Sequence, residues 1–312
     1  MTRDARRIAG MTLDAARERA TLPSRGVDLS YLDFGGDGPL VIVTHANGFC
    51  AGPYAPMIEH LRERYRVFAI DARGHGHSSA PPPPEPYRWE EFAADLVAFA
   101  EHALARTGRR RVAMIVGHSF GGTTALTAAA ARPDRFARVA TLDPVVMLAR
   151  ELLGPGDPLV VPENSVYMAE VARKRRALWP SREAALAKWR TTPLFADWDA
   201  RALALYVREG MRDRADGQVE LACHPEIEAA VFAAAGRFDL LPHTAKLRAP
   251  ALVLHATRGD FSLGIHRRIA ESAGPHVEVE TFEAGHLLAM TEPERTAERL
   301  LAFADRTPVD EA

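Results

Sequence analysis

The sequence predicts an α/β protein: a mostly parallel central sheet with helices on both faces and an all-helical insertion. Three observations predict it. Short apolar runs rich in β-branched residues alternate with helix-length segments, the pattern of a parallel sheet covered on both sides. One run, residues 112–116, passes through Gly117-His118-Ser119-Phe120-Gly121 into the alanine-rich stretch 122–130. From about Val145 to Gly236 the strand pattern stops and only helical patterns rich in arginine, alanine and tryptophan remain, before strands resume at Ala251.

Taken in order, residues 12–20 are short, charged and ended by Pro23, which reads as a helical arm occupying residues 1–24, with a loosely ordered tail equally compatible with the composition. Residues 27–34 alternate apolar and polar as a half-exposed strand does, and Gly35-Gly36-Asp37-Gly38-Pro39 is a turn. Residues 40–44 and 66–70 are continuous apolar runs suited to strands buried on both faces, with a helix around residues 54–64 between them. Residues 81–86 form a proline-rich spacer before a helix over about 89–106. Residues 138–142, 251–255 and 277–282 read as the later strands, and 292–304 as a closing helix. The division is a core of residues 25–145 and 237–312 and a helical cap of residues 146–236, with helices over about 165–179, 181–191 and 200–212. A helical insert at this point places a lid over the strand C-terminal ends, where open α/β sheets bind ligands.

Composition narrows the function. The 312 residues carry a formal net charge of −2, with a hydrophobic content of 47%. That balance gives no bulk electrostatic case for nucleic acid or an anionic membrane surface. Two cysteines, Cys50 and Cys223, exclude a disulfide scaffold and a cysteine-rich zinc site, although the pair itself is free to bond. No metal set assembles around Cys223 and His224, and no dinucleotide-binding glycine motif is present, so no cofactor is expected. The expected partner is a small-molecule substrate, with no nucleic acid, no stable membrane insertion and a homodimer left open. With neither a signal segment nor a membrane-length apolar run, the expected location is cytoplasmic.

The chemistry gathers at Ser119. A strand turning sharply into a helix needs small residues two before and two after the corner, and it leaves the corner hydroxyl beside a helix N-terminus that favours developing negative charge. A serine nucleophile needs a base, and the base needs an orienting group. His286 follows the last strand in Gly285-His286-Leu287, at the same sheet edge. Asp260, just past the strand at 251–255, is the acid that keeps the order serine, acid, histidine. Asp143, ending the strand at 138–142, is the alternative. For the oxyanion, the Phe120 amide comes with the turn, and a second donor is expected in His45-Ala46-Asn47-Gly48-Phe49: the Phe49 amide, with Asn47 as alternative. His118, Trp179, Trp198, Tyr206 and Leu287 are candidate substrate contacts, as are Met168, Trp189 and Phe195. The run Arg173-Lys174-Arg175-Arg176 reads as a solvated helix face.

In series, Asn47-Gly48-Phe49, Asp71-x-Arg73-Gly74-His75-Gly76-x-Ser78, Gly117-His118-Ser119-Phe120-Gly121-Gly122 and Gly285-His286 resemble the α/β-hydrolase superfamily from about residue 26 to residue 303, apart from the insertion. The resemblance implies the α/β-hydrolase fold with a helical lid, a catalytic triad of Ser119, Asp260 and His286, and a bracing role for Asp71, Arg73 and His75. The segment before Asp260 departs from the superfamily's usual Gly-x-x-Asp spacing. Serine at the elbow argues against epoxide hydrolases and haloalkane dehalogenases, which use aspartate there. What remains is a carboxylesterase- or lipase-like serine hydrolase, acting through an acyl-enzyme on an ester of a small or medium apolar acyl group. The alternatives are carbon–carbon bond, thioester or amide cleavage on the same residues, or a ligand-binding member without catalysis.

Overall fold

The computed structural model describes residues 13–83, 87–147 and 162–308. In chain order its strands are β1 (Ala16–Leu22), β2 (Val27–Asp33), β3 (Leu40–Thr44), β4 (Arg66–Ile70), β5 (Met114–His118), β6 (Val139–Leu142), β7 (Leu178–Trp179), β8 (Met211–Asp213), β9 (Val219–Leu221), β10 (Ala251–Arg258) and β11 (Val277–Gly285). The main sheet has eight strands in the order β1-β2-β4-β3-β5-β6-β10-β11. Pairings from β4 through β11 are parallel, while β1 with β2 and β2 with β4 are antiparallel.

The continuous apolar strands are explained by two cores, one on each face. In β3, Val41 and Val43 point into one core while Leu40 and Ile42 point into the other. On the first face lie α1 (Ala55–Leu61) and the closing helix Pro293–Arg306. On the second lie α2 (Trp89–Thr107), α3 (Phe120–Ala131) and the helix Leu263–Ala273. With period-2 alternation and both faces covered, every residue of β3 and β5 is buried.

The insertion between β6 and β10 holds helices α4 (Pro162–Arg173), α5 (Arg182–Trp189), α6 (Ala200–Glu209) and α7 (Pro225–Ala235). It is not all-helical as expected: β7, β9 and β8 form a small antiparallel sheet of three strands. These strands are two or three residues long, too short to show a periodicity against the surrounding helical pattern. The insertion's aromatic residues continue the first-face core, since Trp179, Trp189, Phe195, Trp198 and Tyr206 belong to the same buried cluster as Val41 and Val43.

The N-terminal expectation is corrected. Part of the arm lies outside the described residues, but Ala16–Leu22 is an edge strand rather than a helix, paired in register from Ala16 with Asp33 to Leu22 with Val27. Ala20 and Leu22 are buried and Arg19 and Thr21 are not, a period of two that a charge-rich stretch of good helix formers concealed. Charged residues are what exposed sheet edges carry. Arg17 on this strand pairs with Asp71 at 2.9 Å and with Glu209 of α6. Cys50 and Cys223 are buried free thiols. The proline-rich segment lies partly outside the described residues. No helix among the described residues is long and apolar enough to cross a membrane.

Candidate active site

Ser119 sits between β5 and α3 at φ 56°, ψ −123°, in the left-handed half of the map where a non-glycine residue is strained. The surroundings enforce that conformation. A Cβ at position 117 would lie 2.3 Å from the Gly121 carbonyl oxygen, and one at 121 would lie 2.5 Å from the His45 oxygen, so strand and helix can cross this closely only with glycine at both. The Ser119 amide donates to Leu142 of β6 at 2.9 Å, and its carbonyl accepts from Gly122 and Thr123.

Three side chains meet at the sheet edge. His286 Nε2 lies 2.9 Å from Ser119 Oγ, and His286 Nδ1 lies 2.6 Å from Asp143 Oδ2. Asp143 is fully buried at the end of β6, at φ 46°. Its amide donates to Leu254, and its Oδ1 accepts from the Ala256 amide at 3.0 Å. Burial alone would raise its pKa, but the hydrogen bond and charge of His286, then His266 and the Ala256 amide, hold it below the ordinary carboxylate value.

Asp260 is not in this group. β10 runs on to Arg258, three residues past the expected end, with a shift of register between Ala256 and Arg258, and from the turn that follows it is the Phe261 ring, not the Asp260 carboxylate, that meets His286, at 5.8 Å between ring centroids. Asp260 is left exposed at the cavity rim, while Gly259 packs against the Asp143 carboxylate. The acid beside His286 is thus Asp143, and the departure from Gly-x-x-Asp spacing is the sequence signal that pointed away from Asp260.

The loop after β3 carries a second correction. The Phe49 amide is occupied within a turn, donating to Ala46 at 3.2 Å. The Asn47 side chain is occupied too, its amide donating to the Glu228 carbonyl at 3.0 Å. Among the described residues no hydrogen bond uses the backbone amides of Asn47 and Phe120, and both residues line the cavity beside Ser119.

His118 stands behind the site and not in a substrate pocket. Its Nε2–H donates to the His286 carbonyl at 2.8 Å, so its Nδ1 accepts from the Tyr54 hydroxyl at 2.6 Å, and Tyr54 in turn accepts from the Ala46 amide at 2.9 Å. Burial and the neighbouring His286 push its pKa down to about 3, which keeps it neutral and this chain of donors fixed. His45 and His75 follow the same plan. His45 donates to Ala46 and accepts from Ala72; His75 donates to Arg73 and accepts from Gly48. Burial lowers both, His75 to about 3. Arg73 clasps the buried Asp95 through two bonds of 2.6 Å, and Asp71 accepts from the amides of Ala51 and His77, so this loop is braced throughout.

Ser119 opens onto a cavity of ≈ 1020 Å³. Its walls are mainly apolar, with Phe49, Met168, Trp179, Trp189, Phe195 and Leu287 among them. Of the expected contacts, Trp198 and Tyr206 do not reach it. Trp198 is packed edge-on against Phe195, and Tyr206 is stacked on Trp189 with its hydroxyl turned to Gly48. Arg175 does reach it, contrary to the expected solvated face: it is ion-paired with the buried Glu228 and donates to Tyr206 at 2.9 Å. Burial raises the Glu228 pKa, and Arg175 opposes that rise.

Among the described residues, Asp143, His255 and His266 bring donor atoms within 4.8 Å of one another, as a metal site would. Hydrogen bonds already engage these groups: His266 donates from Nε2 to Pro144 at 2.9 Å, the two histidines share a 3.0 Å bond through Nδ1, and Asp143 is bonded to His286 and the Ala256 amide.

The chain belongs to the alpha/beta hydrolase family, whose fold model matches residues 39–293. Among proteins of known sequence it is similar to 3-oxoadipate enol-lactonase 2 of Acinetobacter baylyi, 24% identical over 276 residues, 88% of this chain and 92% of that one. It is 33% identical to 2-(acetamidomethylene)succinate hydrolase of Mesorhizobium japonicum over 124 residues, 38% of this chain and less than half, 42%, of that relative. Among solved structures, E-2-(acetamidomethylene)succinate hydrolase superposes with a TM-score of 0.75 at 23% identity, covering 93% of this chain and 99% of that one. A thioesterase domain from the curacin biosynthetic pathway gives 0.71 at 14% identity, covering 92% and 99%. Likenesses at these identities speak for the fold alone.

Proposed function

We propose that the protein is a serine hydrolase that cleaves a carboxylic ester of a small or medium apolar acyl group through an acyl-enzyme on Ser119. The observation that carries this is the bonded series Ser119 Oγ, His286, Asp143 at the foot of a largely apolar cavity. His286 Nε2 takes the serine proton as Oγ attacks the carbonyl, and Asp143 holds the imidazole in the required tautomer and stabilises the imidazolium. The amides of Phe120 and Asn47 receive the oxyanion, and the N-terminus of α3 adds its dipole. The protonated His286 then releases the alcohol. Water, deprotonated by the same nitrogen, attacks the acyl-enzyme and frees the acid and Ser119. The insertion acts as the lid, its aromatic residues shaping the acyl pocket.

The enol-lactonase relative acts, by its name, on an internal ester, in keeping with this chemistry. A fluorophosphonate probe should label Ser119 stoichiometrically, and a series of p-nitrophenyl esters should show turnover with an optimum at short or medium acyl length. An unlabelled Ser119, with wild-type and His286→Ala proteins equally inert, sinks the reading. Hydrolysis of a thioester, amide or ketone substrate in preference to every ester would move it to another bond on the same residues.

A further inference from the structure

The segment Asn47–Gly48 is gripped from the insertion by contacts from separate elements. The Tyr206 hydroxyl on α6 donates to the Gly48 carbonyl at 3.0 Å. The Glu228 carbonyl on α7 accepts from the Asn47 side chain at 3.0 Å. Arg175, just after α4, joins these two anchors: one guanidinium nitrogen pairs with the Glu228 carboxylate and the other donates to the Tyr206 hydroxyl at 2.9 Å. The fit to the loop backbone is close. Gly48 stands at φ 78°, and a Cβ there would lie 2.7 Å from the Glu228 carboxyl carbon and 2.9 Å from Arg175 Nη1. From the core side, the Gly48 amide donates to His75 at 3.1 Å.

We infer that Arg175 is a positioning residue: with Glu228 and Tyr206 it forms a latch that sets the Asn47 amide toward the reacting oxygen when the insertion is seated. This rests on the reading of that amide as an oxyanion donor. Glu228 is buried and Arg175 a quarter exposed, and an ion pair so far withdrawn from water is a poor device for stability alone, because desolvating the charges offsets much of their attraction. What the guanidinium adds is direction. Its planar fork holds two partners at fixed angles to each other, which lysine's single ammonium does not. Both partners here touch the one loop whose amide must be placed to within a fraction of an ångström for the developing charge. Seating the insertion and completing the oxyanion site thereby become a single event.

The alternative is that the ion pair only seals α4 against α7, and the two accounts differ in what a variant loses. Arg175→Met, Arg175→Lys, Tyr206→Phe and Glu228→Gln are compared with wild type on p-nitrophenyl butyrate, together with the affinity for a trifluoromethyl ketone of the same chain length, which forms a tetrahedral adduct on Ser119. A latch predicts a kcat loss of about 100-fold for Arg175→Met and about 10-fold for Tyr206→Phe, with KM within about threefold and ketone affinity falling in step with kcat. Arg175→Lys recovers only part of the loss. If Arg175→Met does not fold, Tyr206→Phe, which removes one oxygen, decides alone. A kcat within about threefold of wild type in both variants overturns the inference, as does a lowered melting temperature with kcat and ketone affinity retained. Failure of wild-type Ser119 to be labelled by fluorophosphonate is a different result: it sinks the proposed reaction itself, and this inference with it.

Discussion

The two walls that face each other across Ser119 are built by different physics. The wall made by the sheet edge is held by buried, neutral histidines: His45 bonds to backbone alone, His75 to backbone with its Nε2 also 3.2 Å from Asn47 Oδ1, and His118 between the His286 backbone and Tyr54. The wall made by the insertion is held by a partly buried ion pair and by aromatic rings, with Trp189 stacked on both Phe195 and Tyr206. The first kind of wall fixes directions, because each imidazole is locked by its own tautomer. Apart from its one latch, the second fixes mainly shape and volume, which tolerate substitution far better than directed bonds do. Chemistry should therefore be sensitive to the sheet edge, and substrate choice to the insertion.

The sharpest way to break that comparison is at the acid. Asp143→Asn should lower kcat by roughly 10⁴-fold by imposing the wrong tautomer on His286. Asp260→Asn, at the exposed rim, should change kcat by no more than about threefold. Steady-state kinetics on one ester decides, and the reverse ranking would return the acid to the turn after β10.

That contrast also shows what was legible in the chain. Ser119 and His286 stand at strand ends beside glycines, and a local pattern marks such positions. Asp143 was visible only as an alternative, because Asp143-Pro144 reads equally as the end of a strand. What brings it to His286 is the placement of β6 between β5 and β10, a tertiary fact. The same holds for Arg175, which local charge density marked as solvated and which the packing of α4 on α7 encloses. Core strands such as β3 and β4 were readable because two covered faces leave polar residues only at their ends, Thr44 and Arg66. The edge strand β1 was not, since its outward face carries helix-forming charged residues.

A smaller effect is expected at His118. His118→Gln keeps part of the hydrogen bonding but not the geometry that joins Tyr54 to the His286 carbonyl, and kcat should fall by about one to two orders of magnitude. An unchanged kcat would show that the base loop holds itself.

The histidine wall also predicts a direction for pH. His75 and His118 are pushed down to about 3 and His266 to about 4, while unfolded histidine protonates near its ordinary value of about 6.5. As bases with depressed folded pKa values, they leave stability intact above about 6.5 and erode it as the pH falls below that, each by up to about 1.4 kcal/mol per pH unit. Asp143, lowered rather than raised, adds a further loss only in stronger acid, below the ordinary aspartate value. Melting temperatures measured from pH 8 to pH 5 should be level at first and then drop steeply. A flat profile through pH 5 would mean that these imidazoles are not held neutral.

The smallest change in chemistry belongs to the insertion. Trp179→Ala should leave kcat on the preferred ester within a few-fold while shifting the optimum toward longer acyl chains, by about tenfold in the ratio of kcat/KM values. A loss of kcat across all chain lengths would place Trp179 with the directing wall instead.

Arg17 belongs to neither wall, yet it is bonded to both. Its guanidinium spans Asp71, in the loop that carries His75, and Glu209, at the end of α6, two carboxylates 138 positions apart in the chain. A strand from the first tenth of the sequence is thus a clasp between halves of the molecule that are otherwise synthesised long after it. The pairing of the N-terminal strand with β2 and the seating of α6 are thereby coupled through one guanidinium. Shortening the chain to remove that strand would then be felt at α6 and in the insertion that walls the cavity.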